Sequence, residues 1–60
     1  MKLLELQNST YRADDVMALV PDENRLTVYL REDAEFEHVF ATGEEAMAAR
    51  DKFVKEWAEA

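Results

Sequence analysis

The chain has no cysteine, one glycine, one proline and one histidine in 60 residues. The missing thiols exclude disulfide staples, zinc sites built on cysteine and thiol nucleophiles. The lone glycine, Gly43, cannot make a glycine-rich phosphate loop. A single histidine, His38, offers little to a metal or to a paired acid and base. Basic residues are also scarce: 7 Lys and Arg stand against 14 Asp and Glu, for a net charge of −7. That balance opposes direct contact with nucleic acid or with anionic lipid and favours a basic partner surface. No segment approaches the roughly 20 apolar residues that span a bilayer. Repeats and low-complexity stretches are absent as well. The expectation is a protein with no cofactor, no bound metal and no membrane role.

What is present is compact in size. Residues 1–60 are expected to form a single domain. So short a chain buries a modest share of its surface, and a partner subunit or a second copy would supplement a small core. Met1-Lys2-Leu3-Leu4 is followed at once by Glu5, with no continuous apolar core of a signal peptide. A cytoplasmic location is the expectation, in keeping with the absence of cysteine.

Hydropathy alternates for most of the chain and then changes period. Leu3 to Gln7 reads as a strand with Leu4 and Leu6 inward and Glu5 and Gln7 outward. Asn8-Ser9-Thr10 reads as a turn into a short extended segment, Tyr11 to Ala13, which Asp14-Asp15 interrupts with a tight turn. Val16 to Val20 is another strand, ended by Pro21, with Pro21-Asp22-Glu23-Asn24 as the turn. Either Val16, Ala18 and Val20 or Met17 and Leu19 must point outward. In Leu26 to Arg31, Leu26, Val28 and Leu30 share one face, and Thr27, Tyr29 and Arg31 the other. Glu32-Asp33-Ala34 is the next turn. The strand Glu35 to Ala41 places Phe36, His38 and Phe40 inward.

Thr42-Gly43-Glu44-Glu45 is a capping box, and Glu44 to Ala60 are nearly all strong helix formers. Ala46, Ala49, Phe53, Trp57 and Ala60 recur at helical spacing. Trp57 is expected to anchor the helix on the sheet. Asp51 with Lys55 and Lys52 with Glu56 are expected ion pairs along it. The predicted fold class is α+β, in the order β-β-β-β-α: a small antiparallel meander of three to four strands with one C-terminal amphipathic helix on one face.

Two features carry functional expectations. From Glu32 to Glu45 the chain has six carboxylates (Glu32, Asp33, Glu35, Glu37, Glu44, Glu45) and no Lys or Arg. Glu44 and Glu45 are explained by the helix start. Glu32, Asp33, Glu35 and Glu37 remain as a candidate surface for a basic partner. Tyr29 and Val39 point away from the predicted core on adjoining strands, so an apolar band would join those acids. His38, between Phe36 and Phe40, reads as a structural imidazole bonded to backbone. Asp22-Glu23-Asn24 begins like a calcium loop but lacks its glycine and final glutamate.

The expected function is therefore non-enzymatic. The leading expectation is a small acidic protein-binding module, a regulator or inhibitor docking on a basic surface of a larger protein. A homo-oligomeric accessory protein, a homodimer in its simplest form, is the alternative, and a nucleic-acid mimic is the third.

Overall fold

A computed structural model describes residues 2–60 of the chain. Five strands precede one helix: β1 (Leu3–Leu6), β2 (Ser9–Arg12), β3 (Val16–Asp22), β4 (Arg25–Leu30), β5 (Glu35–Val39) and α1 (Gly43–Ala58). The class is α+β, with a C-terminal helix packed on the sheet, but the strands divide into two antiparallel sheets rather than one meander. β1 and β2 form a hairpin on their own, and β3, β4 and β5 form a sheet in that order. The division falls at a single 3-10 turn, Ala13–Asp15, which redirects the chain so that Val16 pairs with Leu30 and not with β2.

Local chemistry explains most boundaries. Gln7 adopts a left-handed φ of 55° and closes a two-residue turn, so β2 begins at Ser9, earlier than the turn-forming composition of Asn8-Ser9-Thr10 suggests. Pro21 does not end β3; it pairs with Leu26, one step before the Asp22–Arg25 pair that closes the hairpin. β3 is an edge strand, where a missing N–H can face solvent and no ladder bond is lost. Glu32 and Asp33, with φ of 66° and 62°, form the centre of the β4–β5 turn. Two left-handed central residues match the twist of the flanking strands. At the helix start, Thr42 Oγ1 accepts the Glu45 N–H at 3.1 Å. The reciprocal bond from the Glu45 carboxylate to the Thr42 N–H is not formed among the described residues.

The face of β3 was ambiguous from its pattern, and a bulge resolves it. Val16 pairs with Leu30 and Ala18 with Tyr29, which leaves Met17 as the extra residue. Val16 is thereby buried, Met17 is 65% exposed, and Leu19, opposite Val28, packs against the core. Neither alternating set faces inward as a whole.

The hairpin and the helix cover the inner face of the three-stranded sheet. Leu4, Leu6 and Tyr11 come from the hairpin, Val16, Leu26 and Val28 from the sheet, and Ala46 and Phe53 from the helix. Ala46 is fully buried, and its small side chain lets α1 lie close to β1, β3 and β4. Trp57 packs at the margin with its ring 6.4 Å from that of Phe53. Phe36 departs from expectation. It lies opposite Val28 on the inner side yet is 52% exposed, because the helix rests mainly over β1, β3 and β4; the Tyr11 ring lies 6.0 Å from it. β5 ends at Val39, two residues before the expected Ala41.

A left-handed backbone disfavours any residue with a Cβ, and among the described residues the four non-glycine positions that adopt it are Gln7, Glu23, Glu32 and Asp33. Glu32→Gly should therefore raise stability by roughly 0.5–1 kcal/mol, the relief of strain exceeding the added freedom of the unfolded chain. Urea titration beside Glu32→Gln, which removes the same charge and keeps the strain, checks this. Equal stability of the two variants would contradict it.

Candidate functional site

The candidate surface is built by β4 and its two neighbours. Strand pleating sends Arg25, Thr27 and Tyr29 to the face away from the helix, and register sets each beside a β5 residue: Tyr29 beside Glu35, Thr27 beside Glu37, Arg25 beside Val39. On the other side, Ala18 lies beside Tyr29 and Val20 beside Thr27. Four of the six sequence-predicted residues, Tyr29, Glu35, Glu37 and Val39, thus share one face. Glu32 and Asp33 stand at its end, in the β4–β5 turn.

Among the described residues, no element covers this outer face. Tyr29 is 38%, Val20 44% and Val39 55% exposed. At the bulge, Met17, Ala18, Tyr29, Asp33, Ala34 and Glu35 line an open groove of about 470 Å³. Sequence reasoning left the facing of Met17 open and missed Arg25, whose side of β4 follows from the same alternation as Thr27 and Tyr29.

The charge is less uniform than the sequence suggests. Arg25 lies 3.9 Å from Glu37, with both side chains more than half exposed. Such a pair contributes little to stability, but it softens the local field. Glu32, Asp33 and Glu35 have no ion-pair partner among the described residues. On the helix the expected pairs of Lys52 and Lys55 are not formed either, and Arg50 instead meets Asp51 at 2.9 Å.

His38 belongs to the inner face and is 6% exposed. Its bonds are to side chains, not to backbone as expected. Gln7 donates Nε2–H to the Val39 carbonyl at 2.8 Å, which leaves Gln7 Oε1 to accept from His38 Nδ1 at 2.9 Å. His38 Nε2 is then the acceptor for the Tyr11 hydroxyl at 2.5 Å. Burial pushes the His38 pKa down and the Tyr11 pKa up, the latter opposed by a hydrogen bond from Ser9. Both ring nitrogens are occupied, so the imidazole serves as a clamp between hairpin and sheet. Gln7 was read as an outward strand residue; its role depends on the left-handed turn that aims it at β5.

Two further grooves open on the described surface, the first beside this clamp at Tyr11. One, of about 430 Å³, is lined by Thr10, Tyr11, Arg12, Asp15, Leu30 and Phe36. The other lies between Asp15 and the Arg31–Glu32 corner. Among the described residues, no three His, Cys, Asp or Glu side chains converge as metal ligands would. Among the described residues, no helix is long and apolar enough to cross a membrane. No protein-family model, curated protein or solved structure matches this chain.

The clamp predicts a pH dependence. Between the lowered folded pKa of His38 and its ordinary 6.5, the unfolded chain binds a proton that the folded chain refuses. This contribution to stability is full above pH 6.5 and falls as the pH drops below it, down to the folded value. An NMR titration of the His38 ring should show a midpoint below 6.5. A midpoint at or above 6.5 would contradict the neutral clamp.

Proposed function

We propose that the protein is a non-enzymatic binding module whose outer sheet face docks on a basic surface of a larger protein. The observation that carries this reading is the composition of that uncovered face. Exposed Met17, Tyr29 and Val39 sit among Glu35, Glu37 and, at its end, Glu32 and Asp33. Apolar side chains supply area to be desolvated, and the surrounding acids select a positive partner and hasten encounter with it. The occupied nitrogens of His38 and the absence of a thiol argue against acid–base or nucleophilic catalysis at the one imidazole. A cytoplasmic setting suits a chain without cysteine.

The same face supports a second reading, a homodimer. Val20, Tyr29 and Val39 are apolar, and Arg25 beside Glu37 gives the face both signs of charge, as a self-complementary contact requires. The two readings separate in sedimentation: a binding module remains a 7.0 kDa monomer at micromolar concentration, and a dimer does not.

The docking reading is tested by affinity capture with the immobilised protein and with Tyr29→Ala and Glu35→Lys/Glu37→Lys variants. The captured partner should lose at least about tenfold in affinity for each variant. Added salt should release it progressively, because exposed charges are screened. Equal capture by wild type and both variants would remove the outer face from consideration.

A further inference from the structure

The three-stranded sheet has two edges, and they differ. Along β3 the edge is broken by the Met17 bulge and by Pro21, two devices that discourage strand addition. Along β5 no bulge or proline interrupts it. Antiparallel pairing makes residues alternate between those whose main-chain groups face the neighbouring strand and those that face away. The Ala34 carbonyl accepts the Leu30 N–H at 2.8 Å, and Phe40 donates its N–H to the Asn24 carbonyl at 2.7 Å. Residues 34, 36, 38 and 40 therefore face β4, and Glu35, Glu37 and Val39 turn their main-chain groups outward. The Gln7 side chain takes the Val39 carbonyl. The N–H and C=O of Glu35 and Glu37 have no partner among the described residues.

We infer that this edge accepts an extended segment of the partner protein as an added strand, with the pattern basic–apolar–basic. The inference rests on the docking reading above and specifies how the partner is held. Partner residues opposite Glu35 and Glu37 project onto the outer face, where Lys or Arg would meet the two carboxylates; cross-strand pairs of opposite charge stabilise a sheet. The residue between them projects to the inner side, beside the exposed Phe36 ring, and an apolar side chain fits there. A second copy of this chain fits poorly. Any two-fold register that uses Glu35 and Glu37 of both copies sets carboxylate against carboxylate. Main-chain bonds would supply the attachment and the alternating side chains the selection.

The test uses the full chain, labelled with nitrogen-15, and a synthetic peptide with a Lys-Val-Lys centre. Millimolar peptide should slow exchange of the Glu35 and Glu37 amides about tenfold, as saturation of a weak site implies. An analogue N-methylated on the amides that would pair should leave both rates unchanged. Equal binding of the two peptides would overturn strand addition and leave docking by the outer face intact. Failure of both peptides to bind would overturn it too, while capture of a partner sensitive to Tyr29→Ala would still stand. Slowed exchange on raising protein concentration alone would assign the edge to a second copy and also overturn the proposal.

Discussion

The Tyr11 side chain joins the two parts of the second layer to the sheet beneath them. Its ring lies 6.4 Å from Phe53 of the helix and 6.0 Å from Phe36 of β5, and its hydroxyl reaches His38. The hairpin β1–β2 shares no backbone ladder with the sheet. What holds it there is apolar contact through Leu4, Leu6 and Tyr11, together with the Tyr11–His38–Gln7 chain of hydrogen bonds. A buried imidazole is costly when unpaired and specific when fully paired. Here it fixes which way the hairpin faces. Without that orientation the helix would have only half a bed, since its neighbours include β1 as well as β3 and β4.

The loops are held from the other end. Asn24, in the β3–β4 turn, exchanges two hydrogen bonds with Phe40, the side chain donating to the Phe40 carbonyl at 2.8 Å and the carbonyl accepting the Phe40 N–H. Gly43 lies against the same turn, where an added Cβ would stand 3.4 Å from the Glu23 carbonyl. The only glycine of the chain thus has room for a Cβ in ordinary contact and adopts no left-handed φ, and the left-handed turns are left to Gln7, Glu23, Glu32 and Asp33. Acidic residues at such corners are solvated and repel one another. Part of the chain's acidity therefore sits where its conformational demands are greatest.

The sequence made β4, the Thr42 cap and the helix face legible because each is decided locally. Leu26 and Val28 alternate with Thr27 and Tyr29, and Ala46 and Phe53 fall on one helical stripe. The Met17 bulge was not legible, since it is set by pairing with Leu30 and Tyr29 across a turn. Gln7 was misjudged for a similar reason: its strand-like context hides a turn whose purpose lies 31 and 32 positions away, at His38 and Val39. Phe36 alternates correctly but lacks a cover, and coverage depends on where the helix comes to rest. Of the candidate surface, the shared face of Tyr29, Glu35, Glu37 and Val39 followed from alternation alone. The groove beside Met17, and the ion pair that tempers Glu37, required the register.

The unequal edges of the β3–β4–β5 sheet have a consequence for stoichiometry. A sheet that can be extended on both sides can propagate without limit, one molecule templating the next. Here the β3 side is interrupted at Met17 and Pro21, so growth through this sheet has only one direction in which to begin. Under the proposed strand addition, a strand joining β5 would meet a molecule with no matching opening behind it in this sheet. Such a sheet would terminate assembly as it took part in it, and complexes formed through that edge would be finite, one chain to one strand.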